Sequence, residues 1–141
     1  MRPILLALLM LLPFSYLGAY KSLADDLVID MTVNDTFSMK VAQVDIGQTI
    51  TWLPEAKGHN IEFAKGPAGV TLPSKSKLSK QVSVKFTETG VYLYWCRPHK
   101  DTGMLGLVVV GNDVSNLSEI AKVKISRQSD SVLEALIASL N

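Results

Sequence analysis

The chain has 141 residues, with 14 basic and 13 acidic side chains and a formal net charge of +1. This length fits one domain, and the balanced charge excludes a strongly basic nucleic-acid-binding protein and an acidic disordered tail. One cysteine excludes an internal disulfide and a zinc site built from cysteines alone. Two histidines exclude any site that needs three imidazoles from one chain.

Residues 1–24 have the features of a secretory signal peptide. Arg2 supplies a positive charge, residues 4–16 are almost continuously apolar, and Ser22-Leu23-Ala24 places small residues at positions −3 and −1 of a cleavage site. The apolar stretch is shorter than the ~20 residues that cross a bilayer comfortably, although a membrane anchor is the alternative. We therefore expect residues 25–141 to be exported, to the periplasm, without a membrane anchor after cleavage.

Short runs of β-forming residues predict a β-sandwich over residues 25–112. The runs lie at 27–33, 41–46, 48–53, 61–64, 82–87, 91–96 and 105–110. The Lys-rich stretch 65–80 contains Pro67 and Pro73 and is predicted to be a loop with at most one helical turn. Seven or so short strands separated by turn residues are typical of a sandwich.

Residues 113–141 have a helical pattern instead. Ser115 is expected to cap a first helix over residues 117–121, and Ser131 with Glu134 has the spacing of a capping box ahead of a second amphipathic helix. We expect both helices to cover part of one sheet face, which is a structural role.

The residues that carry chemistry are His59, Cys96, His99 and Met104. The last three lie on one predicted loop between two strands, and His59 lies far upstream, at the start of another strand. Two imidazoles and a thiolate in a trigonal plane, with a long contact to a thioether, are the ligand set of a blue-copper site. Each residue alone is a weak signal, because isolated Met and Cys side chains commonly fill cores. Together they predict one copper ion, cycling between Cu(I) and Cu(II).

The same segments resemble the small blue copper proteins, or cupredoxins. The similarity lies in Gly58-His59-Asn60, in residues 90–99 (GVYLYWCRPH) and in residues 103–106 (GMLG). The ligand-loop spacing is similar to plastocyanins and pseudoazurins, and the C-terminal helices favour pseudoazurins. The resemblance implies an all-β, eight-stranded Greek-key sandwich with two short C-terminal helices. It also implies copper ligation by His59, Cys96, His99 and Met104.

The resemblance also implies a protein with no catalytic turnover of its own. It implies that single electrons pass between this protein and periplasmic redox proteins, such as a copper nitrite reductase, a cytochrome or a dehydrogenase. We also expect a monomer that does not bind nucleic acid.

Asn60 and Pro98 are predicted to shape the surroundings of the ligands. Pro98 has no backbone N–H to donate to the thiolate, and Asn60 is placed to tie its loop to the Cys96 loop. In the proteins that the chain resembles, the Cys ligand is commonly followed by Ser or Thr, which pairs with this Asn. Arg97 stands there instead, so that pairing is left open and Arg97 is expected to face solvent.

His99 is the predicted exit for the electron, because it lies on an exposed loop, whereas His59 is the predicted buried ligand. Lys57, Lys100 and Gly103 are candidate docking residues around His99, where positive charge would steer an acidic partner. The alternative is that these lysines are ordinary solvated side chains. Small and apolar residues are predicted to form a collar around His99: Pro54, Gly58, Pro98, Gly103 and Leu105. Trp95 is predicted to be a packed aromatic that faces away from copper.

Two other functions use the same residues. A hydrolase would use Cys96 as a nucleophile and a histidine as its base, but the sequence offers no oxyanion hole and Met104 has no task there. A periplasmic copper carrier or delivery protein would use the same ligands to bind Cu(I). An intense absorption band at roughly 600 nm distinguishes the blue-copper site from the hydrolase. Reversible one-electron voltammetry distinguishes the shuttle from the carrier.

Overall fold

A computed structural model describes residues 26–140, and the predicted signal peptide at 1–24 lies outside the described residues. Seven strands are present in this part of the chain: β1 Leu27–Met31, β2 Val41–Val44, β3 Thr49–Pro54, β4 Glu62–Lys65, β5 Val82–Lys85, β6 Gly90–Trp95 and β7 Leu105–Val110. A 3₁₀ helix, Arg97–Thr102, connects β6 to β7, and two α-helices follow, α1 Leu117–Ile120 and α2 Arg127–Ala138.

The strands form two sheets, with the orders β1-β3-β5 and β2-β7-β6-β4. The pairs β1–β3 and β2–β7 are parallel, and the remaining pairs are antiparallel. Buried side chains from both sheets, including Ile29, Trp52, Tyr94 and Val108, form one core between them. The predicted two-sheet sandwich with C-terminal helices is therefore confirmed.

The described residues contain seven strands, one fewer than the eight expected. The segment 66–81 forms turns and irregular backbone but no strand. Pro67 and Pro73 remove two backbone donors from this segment, and a residue without an N–H cannot complete a sheet ladder. We call residues 75–79 the strap, because they run along the chain at residues 58–61 and are hydrogen-bonded to it.

Strands β6 and β7 are buried on both faces. Alternate residues point to opposite sides of a strand, so Tyr92 and Tyr94 enter the core between the sheets while Val91 and Leu93 face α1 and α2. This is why both strands are almost continuously apolar in sequence. The prediction that the helices cover one sheet face is confirmed. No helix within residues 26–140 is long and apolar enough to cross a membrane.

Both predicted helix caps were wrong, although α1 begins at Leu117 as expected. Asn116, not Ser115, precedes α1, and its side chain bonds both backbone groups of Val91 at 2.8 Å. Helix α2 begins after Ser126, whose hydroxyl oxygen accepts from the backbone N–H of Ser129 at 3.1 Å. Ser131 therefore lies inside the helix, one turn later than a cap. A tertiary contact decided this start, because the Ser126 hydroxyl also donates to the carbonyl of Asp101 at 2.7 Å.

Gly106 in β7 allows the ring of Tyr94 to lie directly against the β7 backbone. It pairs with Tyr94 across β6–β7, and a Cβ built at Gly106 would lie 2.3 Å from Cζ and 2.4 Å from the hydroxyl oxygen of Tyr94. The Tyr94 side chain is fully buried and packs against Phe37 and Trp52, so it has no free space into which to withdraw. Gly106 is therefore required by packing at the point where β7 leaves the ligand loop.

Candidate metal centre

The loop between β6 and β7 brings Cys96, His99 and Met104 together. Trp95 pairs with Leu105, so the two strands close the loop at its base. Three backbone hydrogen bonds fix its interior, from Cys96 N–H to the Met104 carbonyl (3.1 Å), from His99 N–H to the Cys96 carbonyl (3.0 Å) and from Met104 N–H to the His99 carbonyl (3.2 Å). Gly103 reverses the chain with a φ of 93°, a conformation that favours glycine.

His59 is held from the opposite side by the strap. The backbone N–H of Gly58 donates to the hydroxyl of Ser79 at 2.9 Å, and the Ser79 N–H donates to the His59 carbonyl at 2.8 Å. Ser76 is bonded to both backbone groups of Ile61. The backbone on each side of His59 is therefore tied down, which fixes where its ring lies.

The sulfur of Cys96 lies 3.7 Å from Nδ1 of His59 and 3.5 Å from Nδ1 of His99. All three donor atoms lie within 4.8 Å of one another. Thiolate and imidazole donors bound to one ion at about 2.3 and 2.05 Å, 120° apart, would be roughly 3.7–3.8 Å from each other. The observed separations lie within about 0.3 Å of that range, so the residues present fit one metal ion held between them.

The centre is closed to solvent on every side except that of His99. Cys96 is fully buried, and His59 and Met104 are 2% and 1% exposed. The His99 side chain retains 28% of its exposure. Met104 belongs to the same buried cluster as Cys96. His99 is therefore the side chain of this group that reaches the surface.

Burial shifts the pKa of the Cys96 thiol and the pKa of the His59 imidazole in opposite directions. It raises the pKa of the Cys96 thiol, and backbone hydrogen bonds from Asn60 and His99 oppose that shift. Burial lowers the pKa of His59, the imidazole of His99 lowers it further, and Asp35 and the backbone of Thr32 act the other way. His59 is thus held neutral, as a metal ligand must be, and a metal that binds Cys96 displaces a proton.

Asn60 joins the two ligand-bearing loops, although not through a hydroxyl. Its side-chain oxygen accepts from the backbone N–H of Arg97 at 2.9 Å, and its amide nitrogen donates to the carbonyl of Ser76 at 3.2 Å. The Arg97 side chain points outward, 55% exposed, and its Nη1 lies 3.3 Å from a carboxylate oxygen of Glu62. Because the backbone supplies the donor, the loss of Ser or Thr at this position does not break the connection.

Trp95 packs among the apolar residues beneath the helices. Its indole N–H donates to the carboxylate of Glu62 at 2.7 Å, and the ammonium of Lys100 lies 5.9 Å from the centre of its ring. Burial alone would raise the pKa of Glu62, but the Trp95 hydrogen bond and the Arg97 charge outweigh it and lower that pKa. The carboxylate is therefore kept ionised beside the ligand loop.

The predicted surroundings of His99 are only partly present. Lys57 is exposed, and Pro54, Gly58 and Pro98 retain some exposure. Lys100 is paired with Asp101 at 2.7 Å, which neutralises much of its charge. Gly103 lies against α2, since a Cβ there would be 3.1 Å from a methyl group of Val132. Leu105 was wrongly assigned to the collar, because it is 1% exposed and packs beneath the helices.

Sequence reasoning missed one residue at this site, Asp35. The same oxygen of its carboxylate lies 3.7 Å from Nε2 of His59 and 3.7 Å from Nε2 of His99. The sequence around Asp35 does not have the residue pattern of a metal-binding motif. A weak signal was available, since Asn34-Asp35 marks a turn directly after a strand.

The chain matches the family described as copper binding proteins, plastocyanin/azurin family, over residues 27–111. That match covers the whole sandwich, and it includes all four predicted ligands. This protein belongs to the plastocyanin/azurin family. The members to which it is similar include pseudoazurins, an amicyanin and plastocyanins, which are blue copper electron carriers and not enzymes. The predicted membership of a copper-binding, non-enzymatic family is confirmed.

Within the family, the chain is similar to pseudoazurins over most of its length. The chain is 35% identical to the pseudoazurin of Methylorubrum extorquens over 106 residues, which is 74% of this chain and 71% of that protein. It is 38% identical to a provisionally named pseudoazurin of Rhizobium leguminosarum bv. viciae, over 67% of this chain but only 62% of that protein. The crystal structure of pseudoazurin from Methylobacterium extorquens AM1 superposes with a TM-score of 0.76 at 30% identity. That superposition covers 83% of this chain and 100% of that one.

Proposed function

We propose that the protein is a type 1 copper electron shuttle, with His59, Cys96, His99 and Met104 as the ligands. The observation that carries the proposal is the pair of sulfur-to-nitrogen separations, 3.7 and 3.5 Å, which match donors that share one ion. The buried Cys96 would supply the thiolate, the two Nδ1 atoms would complete the plane, and Met104 would supply the long thioether contact. Bound copper supplies reversible one-electron chemistry, because these ligands suit both of its oxidation states.

The rigidity of the site favours a shuttle over a copper carrier. His59 is fixed by the strap, the Cys96 loop by its own hydrogen bonds, and Asn60 joins the two. Ligands that cannot move keep the geometry unchanged when the electron arrives, which lowers the cost of reorganisation. A delivery protein needs ligands that open toward an acceptor, whereas here only His99 reaches the surface.

A hydrolytic role for Cys96 fits poorly. The thiol is fully buried, and burial raises its pKa, whereas reactive cysteines are partly exposed and have a lowered pKa. A substrate would have no access to the sulfur atom.

The protein is proposed to work in the periplasm, with residues 1–24 removed as a signal peptide. The support is the charge, length and small-residue pattern of that segment. An oxidising compartment also suits a lone cysteine when a metal occupies its sulfur.

The proposed docking surface lies beside His99, on the side of Pro98 and the strap, and its positive charge comes from the strap as well as from Lys57. Lys75, Lys77 and the Arg97 side chain line one groove with Pro98 and the exposed Leu78. An apolar centre with basic groups around it suits a brief encounter with an acidic redox protein. A copper nitrite reductase, a cytochrome or a dehydrogenase are the partner classes proposed.

We expect Lys57→Glu and Lys77→Glu each to slow electron transfer to an acidic copper nitrite reductase by roughly tenfold at low ionic strength. The matched control is Lys85→Glu, which changes the net charge by the same amount. Lys85 is paired with Thr49, at the end of β3 that is remote from the site. Stopped-flow rates are measured across ionic strength, because added salt should remove the difference. Equal slowing by all three variants would contradict a local docking surface.

The proposed function predicts that the apoprotein takes up one equivalent of Cu(II), with an intense band at roughly 600 nm. It also predicts a reversible one-electron wave with fast electron exchange at an electrode. Absorption spectroscopy during copper titration and protein-film voltammetry are the measurements. A colourless complex that transfers its copper rapidly to a chelator would overturn the shuttle and support the delivery protein instead.

A further inference from the structure

Asp35 lies at the tip of a turn that is fixed on both sides. The Thr32 N–H donates to the Thr36 carbonyl at 2.9 Å, the Asp35 N–H donates to the Thr32 carbonyl at 3.2 Å, and the hydroxyls of Thr32 and Thr36 lie 2.7 Å apart. Just outside the turn, Met31 forms a bridge with Phe37, whose ring packs on Tyr94. The turn therefore fixes the backbone position from which the Asp35 carboxylate projects toward the two histidines.

The position of that carboxylate is specific with respect to both imidazoles. One oxygen of Asp35 is 3.7 Å from Nε2 of each histidine, and each ring directs its other nitrogen, Nδ1, toward the sulfur of Cys96. A separation of 3.7 Å is too long for a direct hydrogen bond. It is short enough for a Coulomb attraction between the carboxylate and an Nε2–H group.

The charge of Asp35 is not neutralised by a basic side chain. Among residues 26–140, its ion-pair contacts within 4.0 Å are with the two imidazoles, whereas Asp101 is paired with Lys100 and Glu62 with Arg97. Its side chain is 53% exposed, so solvent weakens its field without removing it. His59, on the inner side of the contact, is nearly inaccessible to water.

We propose that Asp35 is a positioning residue for both histidines and an electrostatic determinant of the reduction potential. This inference rests on the proposed copper site. The carboxylate favours the Nε2–H form of each ring, which leaves both Nδ1 atoms free as donors. Its negative charge also favours Cu(II) over Cu(I), because the oxidised centre carries one more positive charge.

Two substitutions separate charge from position. Asp35 has a φ of 56°, a left-handed conformation that Asn and Gly adopt readily. Asp35→Asn therefore keeps the turn and an oxygen acceptor but removes the charge, and Asp35→Gly removes the whole side chain. The control is Asp45→Asn, an exposed carboxylate beyond β2 at the opposite end of the sandwich from the ligand loop.

In the copper-loaded protein, we expect Asp35→Asn to shift the Cu(I)/Cu(II) ratio about tenfold toward Cu(I), which for one electron is about 59 mV. Asp35→Gly should shift it at least as far, and Asp45→Asn less than roughly twofold. Voltammetry measures the shift. A change below twofold in Asp35→Asn, or an equal change in Asp45→Asn, would overturn the electrostatic role.

The positioning role has a measurement that needs no copper. At a pH where both imidazoles are neutral, ¹H–¹⁵N NMR of the apoprotein should show the Nε2–H form at both histidines. Asp35→Gly should bring a mixture of the two neutral forms, which should be larger at His99 because the backbone of Thr32 also bonds His59. Unchanged tautomers in Asp35→Gly would overturn positioning. If the wild-type protein showed no blue band with copper, the proposed function would fail, while the tautomer measurement would still decide the role of Asp35.

Discussion

Replacement of Cys96 by serine is expected to abolish the intense visible absorption of the copper-loaded protein. The band arises from charge transfer between thiolate sulfur and copper, and a hydroxyl oxygen cannot supply it. Cys96 is the sole cysteine in the chain, so no other sulfur can substitute as a thiolate. Serine is nearly isosteric, which leaves the buried packing of the loop almost unchanged. Absorption and EPR spectra of the reconstituted variant are the measurements.

The matched variant for Cys96→Ser is Met104→Gln, at the other proposed sulfur ligand. Glutamine has an amide oxygen at a similar reach, so this protein should keep its copper and an intense band while its reduction potential falls. Far-ultraviolet circular dichroism checks that both variants fold. Full colour in Cys96→Ser would show that the ligand assignment is wrong.

Gly106→Ala should lower the free energy of unfolding by about 3 kcal/mol, at the upper end of the usual cost of overpacking. A methyl group at this position would lie 2.3–2.7 Å from three atoms of the Tyr94 side chain. That ring is enclosed by Phe37 and Trp52, so relief requires movement of β6 or β7. Urea denaturation of the apoprotein measures the loss without a contribution from metal binding.

A double-mutant cycle tests the cause of that loss. Tyr94→Leu removes the ring and leaves a cavity, so it is destabilising alone, but it also removes the atoms that the new methyl group would meet. The loss of unfolding free energy in the double variant should therefore be smaller than the sum of the two separate losses, by at least roughly 1 kcal/mol. Strict additivity would show that Gly106 is required for some reason other than the ring.

Three of the proposed ligands can be grouped from the sequence because their spacing is a local property of two paired strands. Once residues 91–96 and 105–110 are read as neighbouring antiparallel strands, Cys96, His99 and Met104 must share one short loop. His59 needed a further step, since its approach depends on the strap, whose hydrogen bonds connect residues 15 to 21 positions apart. That step came from the chemistry of the ligand set, which needs a second imidazole in a chain with two histidines, and the resemblance to known proteins supported it.

Other features could not be predicted because tertiary contacts decide them. Asp35 approaches both histidines only when β1 and β3 pair in parallel, which brings the turn after Met31 beside the chain that follows Pro54. Leu105 looked like a surface residue next to a ligand, but the helices that bury it lie more than ten residues further along the chain. The start of α2 was misread for a similar reason, because Ser126 is selected as its cap by a contact with the 3₁₀ helix.

The first turn of α2, with its cap, is hydrogen-bonded to three carbonyl groups of the 3₁₀ helix. Ser129, Ser126 and Gln128 donate in turn to the carbonyls of Lys100, Asp101 and Thr102. A ligand loop of different length, grafted from another copper protein, would leave these three side-chain donors without their carbonyl acceptors. Successful loop exchange in this scaffold would thus require redesign of the C-terminal helix as well, since the two segments act as one exchangeable unit.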